Sequence, residues 1–220
     1  MQLPFSREQF FAVIESYNHA VWPLQLVLTL LALACVAAVY AQRGWERAVG
    51  WVLVGLWSWM AIAYQLAFFT RINPAAWLFG GAFLAAAGLL ARHTRARTLS
   101  FEAPRGGAQL LPLVLVTYAL VGYPFIASSS GQEYPRLPTF GLPCPTTVFT
   151  LGILLFARRP IPTSLFVVPI GWSVVGTSAA VQLGVPEDFG LPAAAAISVF
   201  ALVLRGAASR ATIKGHAKSG

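Results

Sequence analysis

Seven runs of apolar residues fill most of the chain: Val21 to Ala41, Ala48 to Phe69, Pro74 to Ala91, Gln109 to Ala127, Pro145 to Ala157, Ile161 to Leu183 and Gly190 to Leu204. None alternates apolar and polar residues with a period of two, so the strand pattern of an outer-membrane barrel is absent. Runs of about 20 apolar residues instead match α-helices that cross a hydrocarbon core of about 30 Å with every backbone group bonded internally. The pattern predicts an all-α polytopic membrane bundle of seven transmembrane helices over residues 21–205. Residues 1–20 precede it on the outer side, and residues 206–220 follow as a basic cytoplasmic tail expected to be disordered.

Ahead of the first run, Ser6 and Gln9 have the spacing of a capping box, and Phe10, Phe11, Ile14 and Tyr17 or Asn18 follow at helical intervals. A short amphipathic helix on the membrane surface is expected, serving as an interfacial anchor or as a lid over a pocket. Glu8 and Glu15 beside Arg7 do not make the positive start of a signal peptide, so the first span is expected to stay in place.

Composition agrees with the pattern. At 57% hydrophobic and 10% charged residues, with mean hydropathy +0.69, the chain has too little polar surface to cover a soluble globule. Charge then orients it. Arg43, Arg47, Arg92, Arg95, Arg97, Arg105, Arg158, Arg159, Arg205, Arg210, Lys214 and Lys218 fall in every second connection and the tail, leaving Arg7, Arg71 and Arg136 on the other side. The enrichment of basic residues in cytoplasmic loops predicts an N-out, C-in protein of the inner (plasma) membrane. The net charge of +8 is scattered over short loops with no soluble domain to present it, which favours anionic headgroups of the bilayer over nucleic acid as a partner.

With that orientation, Gln25, Tyr64, Gln65, Tyr123, Thr146, Thr147, Thr177, Ser178 and Gln182 all fall in the outer half of their spans. Polar side chains are costly in lipid unless paired, so these face the bundle interior, either lining a cavity open to the outside or bonding helix to helix. Cys35 reads as a small buried apolar residue, too far from Cys144 for a disulfide.

Cys144 is set in Phe140-Gly141-Leu142-Pro143-Cys144-Pro145-Thr146-Thr147, where it fits an N-cap with Pro145 at the first helical position. From there to Ala157 gives about 20 Å of helix, too short for a full crossing, and a broken span of this kind is a pointer to a transport site. Free N–H groups at Thr146, Thr147 and Val148 would attract an anion and activate the Cys144 thiol, which points to a substrate oxyanion, a soft metal ion or redox chemistry; a purely structural turn is the plain alternative.

Absences narrow the mechanism. No Asp, Glu, Lys or Arg lies well inside a predicted span, which argues against a charged ion site, and no lysine is placed to hold retinal. No phosphate-binding loop, dinucleotide fingerprint or HExxH motif is present, His19, His93 and His216 lie in separate segments, and no cofactor is expected.

The stretches Phe5-Ser6-Arg7-Glu8-Gln9-Phe10-Phe11, Tyr17-Asn18-His19-Ala20-Val21-Trp22-Pro23 and Phe140 to Thr150 resemble an uncharacterised family of small bacterial multi-pass membrane proteins, some labelled permeases. The resemblance implies a bacterial integral membrane protein and carries no catalytic residue. Separately, Gly50-Trp51-Val52-Leu53-Val54-Gly55 with Gln65 and Pro74, against Gly171-Trp172-Ser173-Val174-Val175-Gly176 with Gln182 and Pro192, suggests a 3+1+3 parallel repeat. Three functions remain open: a permease-like carrier of a small neutral or weakly anionic solute, a non-catalytic partner protein, and a thiol or soft-metal protein using Cys144. No enzyme activity is singled out.

Overall fold

A computed structural model describes residues 3–41, 44–103, 106–158 and 160–216, with side chains described to residue 204. Arg43, Arg105, Arg159 and Lys218 lie outside the described residues, as do the side chains of Arg205, Arg210 and Lys214. Helices form where the apolar runs predict them: α2 (Leu24–Ala41), α3 (Glu46–Trp59), α4 (Ala76–Arg95), α5 (Leu110–Thr117), α6 (Tyr123–Ser129), α7 (Pro143–Leu155), α8 (Ser164–Leu183) and α9 (Gly190–His216). They follow α1 (Arg7–Val21), which opens on the expected capping box, Ser6 bonding the Gln9 N–H and Gln9 bonding back. The backbone of α9 continues to His216, so helix extends into the segment expected as a disordered tail.

Six helical segments are long and apolar enough to cross a membrane: Leu24–Ala41, Glu46–Arg71, Ala76–Arg95, Gly106–Ser129, Ser164–Leu183 and Pro186–Leu204. Their outward faces are covered with large apolar side chains, among them Leu30, Leu78, Val167, Val174 and Val203, a surface suited to lipid and costly in water. Exposed Trp22 and Trp77 stand at one end of the bundle and Tyr40 and Trp45 at the other, as the aromatic belts of membrane proteins do.

The seventh apolar run behaves differently. At 13 residues, α7 is too short to cross, yet it is the most enclosed helix: Pro145 to Ala157 are all buried, against α5, α8 and α9. Trp57 donates its indole N–H to Thr150 on α7 at 3.1 Å, tying α3 to this centre. The irregular chain leading into α7 is shielded by protein, as backbone in an apolar medium must be. Asn18 of α1 donates to the carbonyls of Pro135 (2.6 Å) and Leu137 (2.8 Å) and accepts from Thr139 (2.8 Å).

α7 also begins earlier than its prolines suggested. Leu142 is the extended N-cap, and Pro143, not Pro145, takes the first helical position. Both prolines sit in the first turn, where a missing N–H costs nothing. Of the three donors expected to hold an anion, the Thr146 N–H is bonded to the Leu142 carbonyl at 3.3 Å, and Thr147 and Val148 lie beyond the leading positions whose N–H groups lack a helical partner. Those three N–H groups are therefore not open at the helix start. Gly141, at φ +100°, makes the turn, donating its N–H to Thr146 Oγ1 at 3.1 Å.

The helices alternate in direction, so the ends separate by charge. Arg47, Arg92, Arg95, Arg97 and Arg158 share one end, where Arg158 pairs with Glu102 at 2.8 Å. Arg7, Arg71 and Arg136 share the other with α1, and Arg136 reaches Glu8 at 2.7 Å. The matched positions of the suggested repeat lie in unlike surroundings: Trp172 and Gln65 are buried, Trp51 and Gln182 exposed.

Candidate functional site

Beneath α1 lies a cavity of about 110 Å³. Its roof is the apolar side of the N-terminal segment, with Phe5, Phe10 and Ile14; its walls come from the ends of α3, α4, α6 and α8 and from the lead-in to α7. A rigid aromatic layer holds the roof. Phe5 meets Phe69 edge to face at 5.3 Å, Tyr17 meets Tyr64 at 5.5 Å, and Trp59 donates to the Tyr17 hydroxyl at 2.7 Å. Burial pushes the Tyr17 hydroxyl up to about 12, outweighing the opposing pull of the Trp59 bond, so it stays a neutral phenol.

The polar groups converge on one side. The short connection after α8 turns back as a single 3-10 turn, Pro186–Phe189, and this tucks Glu187 and Asp188 into the bundle at 1% and 3% exposure. Tyr123 donates to Asp188 Oδ1 at 2.6 Å, and Tyr118 donates to the Glu187 carbonyl at 2.6 Å. The half-buried Cys144 thiol faces the Asp188 carboxylate. Trp172 Nε1 faces the sulfur and has no oxygen or nitrogen acceptor among the described residues; both atoms stand within 4 Å of where a Gly176 side chain would begin. The Glu187 carboxylate has no partner on another described residue; only its own backbone N–H lies against it.

Two tyrosines reach this region from local unwinding. Helix α3 continues as a π-helix over Met60–Leu66, carrying Tyr64 and Gln65, and α5 passes into α6 through a second over Tyr118–Gly122. Such wide turns are found disproportionately at functional sites.

Of the residues expected at a site, Tyr64, Tyr123, Cys144 and Ser178 line the cavity. Gln25 is buried against α1, donating to the Asn18 carbonyl at 2.8 Å, and lines a separate groove on the far side of Tyr123. Thr146 accepts from Gly141, Thr177 donates to the Ser173 carbonyl, and the exposed Gln182 donates to that of Ser178, so these three serve local structure. Gln65 and Thr147 are fully buried without side-chain partners and do not line the cavity.

Asp188 and Glu187 lie outside every predicted span, yet the fold buries both of them in the bundle, where the sequence pattern predicts no charged group. They fall between apolar runs, where a carboxylate reads as a solvated loop residue. The signal that could have found them is the length of the connection, which is too short to carry both away from the helices it joins. Among the described residues, no cluster of three or more His, Cys, Asp or Glu is arranged to hold a metal ion.

Fold and cavity together define a helical bundle with the build of a multi-pass membrane protein and a mostly apolar pocket at one end. The chain belongs to the family of unknown function DUF6064, which matches residues 7–212. No curated protein and no solved structure matches it.

Proposed function

We propose that this protein is a permease-like carrier of the bacterial inner membrane, oriented N-out and C-in, which binds a small solute in the cavity beneath α1. The single observation behind this reading is the convergence of Tyr123, Cys144 and Asp188 on one side of an otherwise apolar pocket. A largely preformed pocket with a few convergent polar groups is the usual form of a small-molecule site. The basic end would face the cytoplasm and its anionic headgroups, which puts the pocket toward the outside. An anionic solute is disfavoured, since Asp188 lines the pocket and the N–H groups of Thr146, Thr147 and Val148 are not open at the helix start.

The placement of Cys144 against Asp188 favours a second reading, thiol chemistry at this position. Complementation of a chromosomal deletion separates the two. A carrier should tolerate Cys144→Ser and fail with Cys144→Trp, which fills the pocket, provided the variant protein is inserted at normal levels. Loss of function in Cys144→Ser points to the thiol, and full function in both variants points to a protein that needs no pocket.

A further inference from the structure

We propose that the cavity accepts a small organic cation, an alkylammonium carrying a hydroxyl group. This deepens the carrier reading and rests on it.

The charge argument comes first. Asp188 lines the cavity, and the carboxylate of Glu187 beside it is buried with no partner on any other described residue. No Lys, Arg or His lines the cavity, and no ion pair reaches either carboxylate among the described residues; Arg7 acts on Glu187 only from beyond contact. A buried carboxyl without a cationic side chain either takes up a proton or pairs with a cation, and a positive guest is the charged partner this site leaves room for.

The walls supply the second argument. Phe5, Phe10, Tyr64, Phe69, Phe79 and Trp172 surround the space, and the faces of aromatic rings attract ammonium groups, especially where water is excluded. The rest of the lining is aliphatic and suits alkyl substituents. At about 110 Å³, the cavity is of the order of one that holds benzene (about 150 Å³), which restricts the guest to a compact ion.

The third observation is independent of charge. Trp172 is nine-tenths buried on the cavity wall, and its N–H faces only the soft Cys144 sulfur, with no oxygen or nitrogen acceptor among the described residues. Sulfur is a weak acceptor, and a hydroxyl on the same guest would supply a stronger one while the ammonium faces Asp188.

Choline is a suitable probe, compared with its neutral isostere in which carbon replaces the ammonium nitrogen. In thermal unfolding of the purified full-length chain in detergent, choline should raise Tm saturably at constant ionic strength, and the isostere should not. Asp188→Asn, which keeps the size and the acceptor for Tyr123, should weaken choline at least tenfold. Equal effects of choline and isostere, or undiminished binding in Asp188→Asn, would overturn the proposal.

A second readout covers failure of the variant to fold. In the wild-type chain, a trimethylammonium-bearing methanethiosulfonate should modify Cys144 about tenfold faster than its sulfonate counterpart once each rate is divided by that reagent's rate with a small free thiol, read by peptide mass. A ratio near one overturns the cation assignment and leaves the pocket standing. If neither reagent modifies Cys144, the pocket reading itself fails.

Discussion

Gly190→Ala is expected to destabilise the protein by about 2–4 kcal/mol, the largest effect of any one-carbon change in the cavity region. A Cβ on Gly190 would collide with the edge of the Tyr118 ring at Cε1 and lie 2.5 Å from Cζ. That ring cannot easily yield. Its hydroxyl is committed to the Glu187 carbonyl at 2.6 Å, so the ring cannot move aside without breaking that bond. Overpacking of this kind costs about 1–3 kcal/mol, and the lost hydrogen bond adds about 1 kcal/mol. The carboxylate turn and the ring are thus held by one contact. Thermal unfolding in detergent checks this, and the double variant Gly190→Ala with Tyr118→Ala should recover part of the loss, because the two positions share the clash.

Phe149→Ala should cost about 2–3 kcal/mol, while Phe125→Ala should cost almost nothing. Phe149 is fully buried in α7 and meets Phe140 edge to face at 5.3 Å. In lipid or detergent, a core side chain gains little from leaving water, so its worth lies in packing. Emptying about 100 Å³ at about 24 cal/mol per Å³ gives that magnitude. Phe125 on α6 is 71% exposed, and truncating it exchanges one apolar surface for another. Comparable losses at the two positions, measured as midpoints of denaturation in the same detergent, would contradict a bundle whose outer face is apolar by design and whose centre is α7.

Much of this architecture is legible in the sequence because lipid imposes a simple rule. Apolar runs must be helices, and their ends are marked by Arg47, Arg92 or Arg158 on one side and by Trp22 or Trp77 on the other. The capping box of Ser6 and Gln9 and the short span after Cys144 are equally local, and both occur as the residues predict. Which face a polar residue takes is not local. Gln65 and Gln182 look alike in sequence, yet one is buried and the other exposed, since that depends on the neighbours each helix acquires.

The carboxylates were hidden for a different reason. Apolar runs end where charge begins, so Glu187 and Asp188 defined the edge of a span instead of its content. Only the packing of the Pro186–Phe189 turn against Tyr118 and Tyr123 brings them inside. Pro143 illustrates the same limit on a smaller scale. Either proline of Pro143-Cys144-Pro145 can start a helix, and the extended backbone of Leu142 selects the first.

The central claim is that the pocket beneath α1 is reached from outside the cell, and Cys144 is its reporter. In intact cells, a small membrane-impermeant maleimide should label Cys144, and Phe10→Ala, which removes a roof side chain, should speed the reaction. Cys35, buried within α2, should stay unlabelled and serve as the internal control. Labelling of Cys144 in inverted vesicles but not in intact cells would contradict the account.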